Sequence, residues 1–258
     1  SKNMKNVHID VQNLFHYGEV LKTPWDSKPG FLSYKVCPAL WTLGARPNKD
    51  VNESNALIEE IISCANMFFD FINDPDQKAK RLSMINSNED RIYLKAYCEL
   101  IVYLRQLFSW YNELIEDKLL KEFIAECSEW GWLSYLKKLD LKKYKKIIFV
   151  SYNYDIWLER ILKCLNLEYS VFGFDNSTEF SIEIIKPHGS ISFVPENYMD
   201  RYNINYNIDV EGLKIEELVV KYDELTKYST GAIIPPAGDS SRLQITSSWA
   251  DTLRREAI

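Results

Sequence analysis

The sequence predicts an α/β fold, a parallel sheet carrying a large helical segment, and three observations predict it. A short apolar run, Ile147-Ile148-Phe149-Val150, leads directly into an amphipathic helical pattern. Further strand-like runs follow at 169–172 and 182–185. Ahead of them, apolar residues recur at helical spacing through much of 55–140. Strand, helix and strand within about forty residues is the grammar of a parallel sheet, whose crossover is right-handed in ~98% of cases.

The first fifty residues are aromatic and punctuated by Pro24, Pro29-Gly30 and Pro47-Asn48, so they read as short pieces joined by loops. From Asn55 the pattern changes. Leu57, Ile58, Ile61, Ile62, Ala65, Phe68, Phe69 and Ile72 mark one face of a helix, with Asn55 as its cap and Pro75 as its stop. A second helical region runs over 89–124, where Leu94, Tyr97, Ile101, Leu104, Phe108, Tyr111 and Ile115 lie on a wide stripe long enough to bend or break. One more helix is expected over 130–139. The strand at 146–151 is read as buried, and the helix behind it, 156–165, buries Trp157, Ile161, Leu162 and Leu165. The strand at 182–185 ends in Lys186-Pro187-His188-Gly189-Ser190. Two polar motifs therefore stand at carboxyl ends of strands, where open α/β sheets place their ligands. If those strands are neighbours, the motifs share one cleft.

Composition narrows the function. A hydrophobic content of 46% with 14% aromatics over 258 residues is ample for a packed core. Lys and Arg number 31 against 37 Asp and Glu, so a net charge of −6 leaves no overall footprint for nucleic acid, and no direct binding to it is expected. The lysines of 137–146 read as a solvated helix end. Apolar runs fall far short of the ~20 residues that span a bilayer, so no membrane partner is expected and the chain reads as intracellular. Five widely spaced cysteines, never in a C-x-x-C pair, predict buried thiols with neither a disulfide framework nor a metal site. The chain opens without methionine and stops inside a helical pattern, which reads as an excerpt truncated at both ends.

The first motif, Ser151-Tyr152-Asn153-Tyr154-Asp155, sets an amide and a carboxylate between two tyrosines. An asparagine offers a donor and an acceptor without titrating, so Asn153 could hold a water or a sugar hydroxyl. Asp155 could accept from a carboxamide or ribose, or equally bond the first-turn amides of the next helix as a cap. The second motif holds His188, the only histidine beyond the first twenty residues, between a rigid proline and a permissive glycine. Imidazole accepts a proton near neutral pH, although His-Gly-Ser alone could be a plain turn. Asparagine to position and histidine to take a proton would suit cleavage of a glycosidic bond without two catalytic carboxylates. His8 and His16 read as structural.

These residues resemble the sirtuins. Ser151-Tyr152-Asn153-Tyr154-Asp155 followed by Leu158-Glu159 is similar to the Thr-Gln-Asn-Ile-Asp-x-Leu-Glu element, more closely to its bacterial Thr-Thr-Asn-Tyr-Asp form, and Lys186-Pro187-His188-Gly189-Ser190 is similar to Lys-Leu-His-Gly-Ser. Ile233-Ile234-Pro235-Pro236 followed by Trp249-Ala250 resembles the Pro-Pro segment and Trp-containing helix of sirtuin-like bacterial domains. The match covers roughly 144–258, under half of the chain. The resemblance implies one Rossmann-like domain over 1–258 with a helical insertion at about 55–140, and NAD as substrate. It implies Asn153 as the residue orienting water, His188 as general base, and Ser151, Tyr152, Asp155, Gly189 and Ser190 as contacts to NAD, with Asp155 on the carboxamide. The four-cysteine zinc module of deacetylating sirtuins has no counterpart here, so NAD hydrolysis is expected rather than deacylation. Relatives with helical insertions in place of zinc are cytoplasmic NAD-depleting effectors of bacterial antiphage defence, which implies gating by a homo-oligomer or a regulatory protein partner.

The sequence departs from the family in two places. No Gly-x-Gly, the family's pyrophosphate loop, occurs among its nine glycines. The closing Gly-Tyr-Ser strand is also missing. The alternative expectation is therefore a catalytically silent nucleotide-sensing or scaffolding module that uses the same cleft.

Overall fold

The computed structural model describes residues 15, 32–72, 91–127, 129, 131–174, 180–196, 214–228, 231–235 and 248–257. The expected turns at Pro24 and Pro29-Gly30, the stop at Pro75, and His8 and His16 lie outside the described residues. Among those described are seven α-helices: α1 (Pro38–Thr42), α2 (Val51–Ile72), α3 (Ile92–Leu114), α4 (Asp117–Glu126), α5 (Gly131–Lys137), α6 (Trp157–Cys164) and α7 (Ser248–Ala257). The strands are β1 (Ile147–Val150), β2 (Ser170–Val171), β3 (Ile182–Ile185), β4 (Phe193–Pro195) and β5 (Leu218–Val220).

The long helix α2 begins earlier than the hydrophobic stripe suggests, because Asp50 starts it. Its Oδ1 accepts from the amides of Asn52 at 2.8 Å and Glu53 at 3.0 Å, the bonds that a cap residue makes. Asn55, the expected cap, lies exposed inside the helix. The predicted break in the second helical region falls at Ile115 and Glu116, both extended. Carbonyls freed at a helix end need partners, and the Arg160 guanidinium supplies one. It donates to the Asn112 carbonyl at 3.0 Å, to that of Ile115, and to Asp117 Oδ1 at 2.8 Å.

Helix α3 organises the helical half. It packs against α1 and α2 around Leu40, Ile61, Ile62, Leu100 and Leu104. Its buried Glu99 carboxylate accepts from the Ala39 and Leu40 amides at 3.1 and 2.8 Å, capping α1 from a distant part of the chain. Its Arg105, fully buried, donates to the carbonyls of Ile191 at 2.9 Å, Leu225 at 3.0 Å and Tyr228. Burial lowers that guanidinium to a pKa of about 9. One side chain of the helical segment thus ties down two loops of the sheet half.

The sheet is small and parallel, with strand order β1-β3-β2. Ile147 pairs with Ile182 and Val150 with Ile185, so β1 and β3 end level with each other. On one face, Ile182 and Ile184 pack with Leu120 and Ile124 of α4, Leu133 and Leu136 of α5, and Ile161 and Leu162 of α6. Helix α7 also contacts β3. Strand β1 is at the sheet's edge among the described residues, and only Ile147 and Phe149 reach the core. Ile148 remains 52% exposed and Val150 41%, which corrects the expectation of a buried strand. The antiparallel pair β4–β5 follows the second polar motif.

The lysine-rich stretch is a helix end and turn, as expected: Lys137 Nζ donates to the Ile124 carbonyl at 2.6 Å, and Lys146 pairs with Glu183 at 3.0 Å. The five cysteines are free thiols, with Cys37 and Cys98 buried and the other three half-buried. Burial pushes the Cys98 thiol up to about 12. No helix among the described residues is long and apolar enough to cross a membrane.

Candidate functional site

Because β1 and β3 are adjacent and in register, the loops after them leave the sheet side by side. The ladder runs one step beyond the strands, with the Ser151 amide donating to the Ile185 carbonyl at 2.9 Å. Ser151 Oγ then accepts from the Asn153 amide at 3.4 Å, turning the chain so that Tyr152 and Asn153 are exposed. Across from them stands His188, half-buried, its ring edge-on to Tyr152 with centroids 4.9 Å apart. Partial burial disfavours the charged imidazolium and lowers the His188 pKa below its ordinary 6.5. The shift favours the neutral ring, the form that can accept a proton.

The other residues expected at the site have duties within the fold. Asp155 Oδ1 accepts from the Trp157 amide at 3.0 Å, an Asx turn that leads into α6, whose N-cap position is Ile156. Gly189 takes a positive φ of 81°, and its amide donates to the Lys186 carbonyl at 2.9 Å. Ser190 is fully buried. Its amide donates to the Ala232 carbonyl at 3.0 Å, and its Oγ lies 3.3 Å from the Tyr154 carbonyl and 2.9 Å from Ser192 Oγ. The residues left open to a ligand are therefore Tyr152, Asn153 and His188, with Ser151 beside them.

The third motif, the weakest in the sequence, is brought against the second. Gly189 bridges Ile233, the Ile234 amide donates to the His188 carbonyl at 3.0 Å, and Tyr154 OH donates to the Ile234 carbonyl at 2.5 Å. Ile156, Ile191, Leu225 and Ile233 form a small apolar cluster beneath both loops.

Sequence reasoning missed the residues that fasten the two loops together, Lys186 and Glu159. Each is 1% exposed, and they pair at 2.9 Å. A signal was present. Glu159 occupies the helical stripe of Ile156 and Leu162, and Lys186 continues an apolar strand, so each is a charge where the pattern calls for an apolar residue.

An open cleft of about 540 Å³ lies beside α6, lined among others by Asn112, Asp117, Glu159, Arg160 and Tyr222. Neither Asn153 nor His188 lines it. The described residues hold no group of three or more His, Cys, Asp or Glu that could bind a metal ion. No family model matches the chain, and no curated protein or solved structure matches it either, so the residues' own geometry must carry the functional reading.

Proposed function

We propose that this chain is an NAD glycohydrolase with a Rossmann-like, sirtuin-type core, releasing nicotinamide and ADP-ribose through Asn153 and His188. The observation that carries the proposal is the pairing of β1 with β3. It brings an exposed asparagine and a half-buried, readily deprotonated histidine to adjacent loops at strand carboxyl ends. NAD supplies the scissile bond between nicotinamide and ribose. In this reading the Asn153 amide holds the attacking water, His188 takes its proton, and the Tyr152 ring packs against the imidazole and shields it from solvent. Gly189 and Ser190 would act indirectly, because their amides are spent inside the fold.

The biological role in this reading is an NAD-depleting cytoplasmic effector of bacterial defence, active once it assembles with its own copies or a regulatory partner. Unrestrained loss of NAD would be toxic, so an isolated monomer is expected to turn over far more slowly than the assembled form.

Nicotinamide release from NAD is the test. His188→Ala should lower kcat by about 10²–10⁴-fold, the usual worth of a positioned general base. Asn153→Ala should lower it at least as steeply as a misplaced nucleophile does, about 10²-fold. Variants that fold and keep full turnover would sink the assignment. The pH profile gives a second expectation. Only neutral His188 can accept the proton, and burial holds its pKa below 6.5, so the rate should be level at pH 7 and fall as pH drops through a midpoint under 6.5. A midpoint above 7 would point to another base.

The involvement of Asp155, Gly189 and Ser190 in internal bonds favours one second reading, a silent nucleotide-binding module. Saturable NAD binding without nicotinamide release, in the assembled protein, would establish it instead.

A further inference from the structure

We propose that Lys186 and Glu159 form a positioning clamp that sets the Asn153 loop and the His188 loop relative to each other. The proposal rests on the hydrolase reading above for its consequence, and on the bonding of one ammonium group for its mechanism.

An ammonium group has three protons to donate. Lys186 Nζ directs them to three different pieces of the molecule: Glu159 Oε1 at 2.9 Å on α6, the Asp155 carbonyl on the first loop, and Ser190 Oγ at 3.2 Å on the second. Asp155 lies two residues after Asn153, and both Lys186 and Ser190 lie two residues from His188. The clamp thus grips each loop next to its reactive side chain. Ser190 Oγ is also within 3.3 Å of the Tyr154 carbonyl, and the Ile191 amide donates to that carbonyl at 2.9 Å. Apart from the Lys186–Ser190 bond, which stays within the second motif, every contact in the set joins one loop to the other or to the start of α6.

The pair is poorly arranged for stability alone. Two charges taken out of water gain little over well-packed apolar groups of the same size unless their remaining hydrogen bonds are met. Here Glu159 Oε2 is buried and has no hydrogen-bond partner among the described residues. Apolar contacts, however, are non-directional, and the site needs two side chains held to a fraction of an ångström. Directional bonds from a single charged atom do that. The cleft beside α6 touches Glu159 but neither reactive residue, so it offers no competing explanation for the clamp.

The test compares unmodified protein with K186M/E159Q, which removes both charges together and strands neither in the interior. Matching far-UV spectra and melting curves establish that the fold is kept. The clamp predicts that kcat for nicotinamide release falls about 50-fold or more while KM stays within about threefold, since geometry rather than ground-state binding is lost. It also predicts that the NMR titration midpoint of His188, identified with His188→Ala, rises towards 6.5 as the loop loosens and the ring gains solvent. The pair leaves as a neutral unit, so the midpoint reports burial and not a change in net charge. A folded double variant with unchanged kcat and an unchanged midpoint would overturn the clamp. If the unmodified protein releases no nicotinamide, the hydrolase reading fails separately. The titration, which needs no substrate, then decides the clamp: a raised midpoint supports it and an unmoved one refutes it. S190A, which removes the bonds of Ser190 Oγ to Lys186, to the Tyr154 carbonyl and to Ser192, should reproduce part of the kcat loss, and full activity in S190A would remove that hydroxyl from the mechanism.

Discussion

Gly189→Ala should destabilise the protein by about 4 kcal/mol or more, read from urea denaturation, a loss beyond the usual range for a single substitution. Two costs combine. The residue's φ of 81° is a left-handed conformation that costs an L side chain about 1–2 kcal/mol. The larger cost is steric. A Cβ at this position would lie 1.8 Å from the Ala232 carbonyl oxygen, 2.7 Å from its carbon and 2.9 Å from Trp249 Cη2. Two of those atoms are backbone and cannot swing aside. Relief requires moving the 231–235 segment, which breaks the bonds from the Ser190 amide to Ala232 and from the Ile234 amide to His188. The outcome also separates two uses of this glycine. If it serves chiefly to let a ligand approach the backbone, the alanine variant will melt normally and only binding will weaken. A loss under about 1 kcal/mol would therefore refute the packing account.

Lys186→Met alone should be nearly as damaging, at about 3–5 kcal/mol, because it leaves the Glu159 carboxylate buried with no cation. The same change made together with Glu159→Gln should recover most of that loss. A buried pair is costly to break and cheap to replace, and the two denaturation curves measure the difference. Near-equal stability of the single and double variants would mean that water reaches Glu159 once the lysine is gone. Arg160–Asp117 offers a contrast, because Asp117 is 65% exposed and solvent screens the pair. Asp117→Asn should cost well under 1 kcal/mol.

The parts of the fold legible in the sequence are those with a long or unambiguous period. Strand β1 is a short run of Ile, Phe and Val and β3 reads Ile-Glu-Ile-Ile, each beside turn residues, and the structure has them at 147–150 and 182–185. Helices α2 and α3 have stripes of several turns, and only their ends moved. Asp50 displaced Asn55 as the cap of α2, because a hydrophobic stripe marks the buried face and not the first hydrogen bond. Strands β4 and β5 are three residues each, too short to display alternation, and neither is legible. The exposure of Ile148 and Val150 was unreadable for another reason: an apolar run looks the same at the edge of a sheet as at its centre.

The site was legible as two motifs but not as a mechanism of assembly. Register between β1 and β3 is a tertiary property, and it alone makes neighbours of Tyr152 and His188. Of the two readings open for Asp155, the bond from the Trp157 amide bears out the one at the helix start, whereas the role of Ser190 within the fold becomes visible only with its partner, Tyr154. Lys186 and Glu159 each break an apolar pattern, but they are 27 positions apart, and nothing in the sequence says that they meet.

The central place of β3 also bears on when the protein can acquire a site at all. Strands β1 and β2 each pair with β3 and not with each other, although β3 is the last of the three to be synthesised. A growing chain that has not yet released Ile185 has helices able to form from local contacts, but two strands with no partner. Non-local pairing of this kind is slow, because loop closure precedes any gain from contact. The Asn153 loop consequently spends the early life of each molecule without the His188 loop, and a nascent polypeptide from which His188 has not yet emerged carries one half of the site without the other.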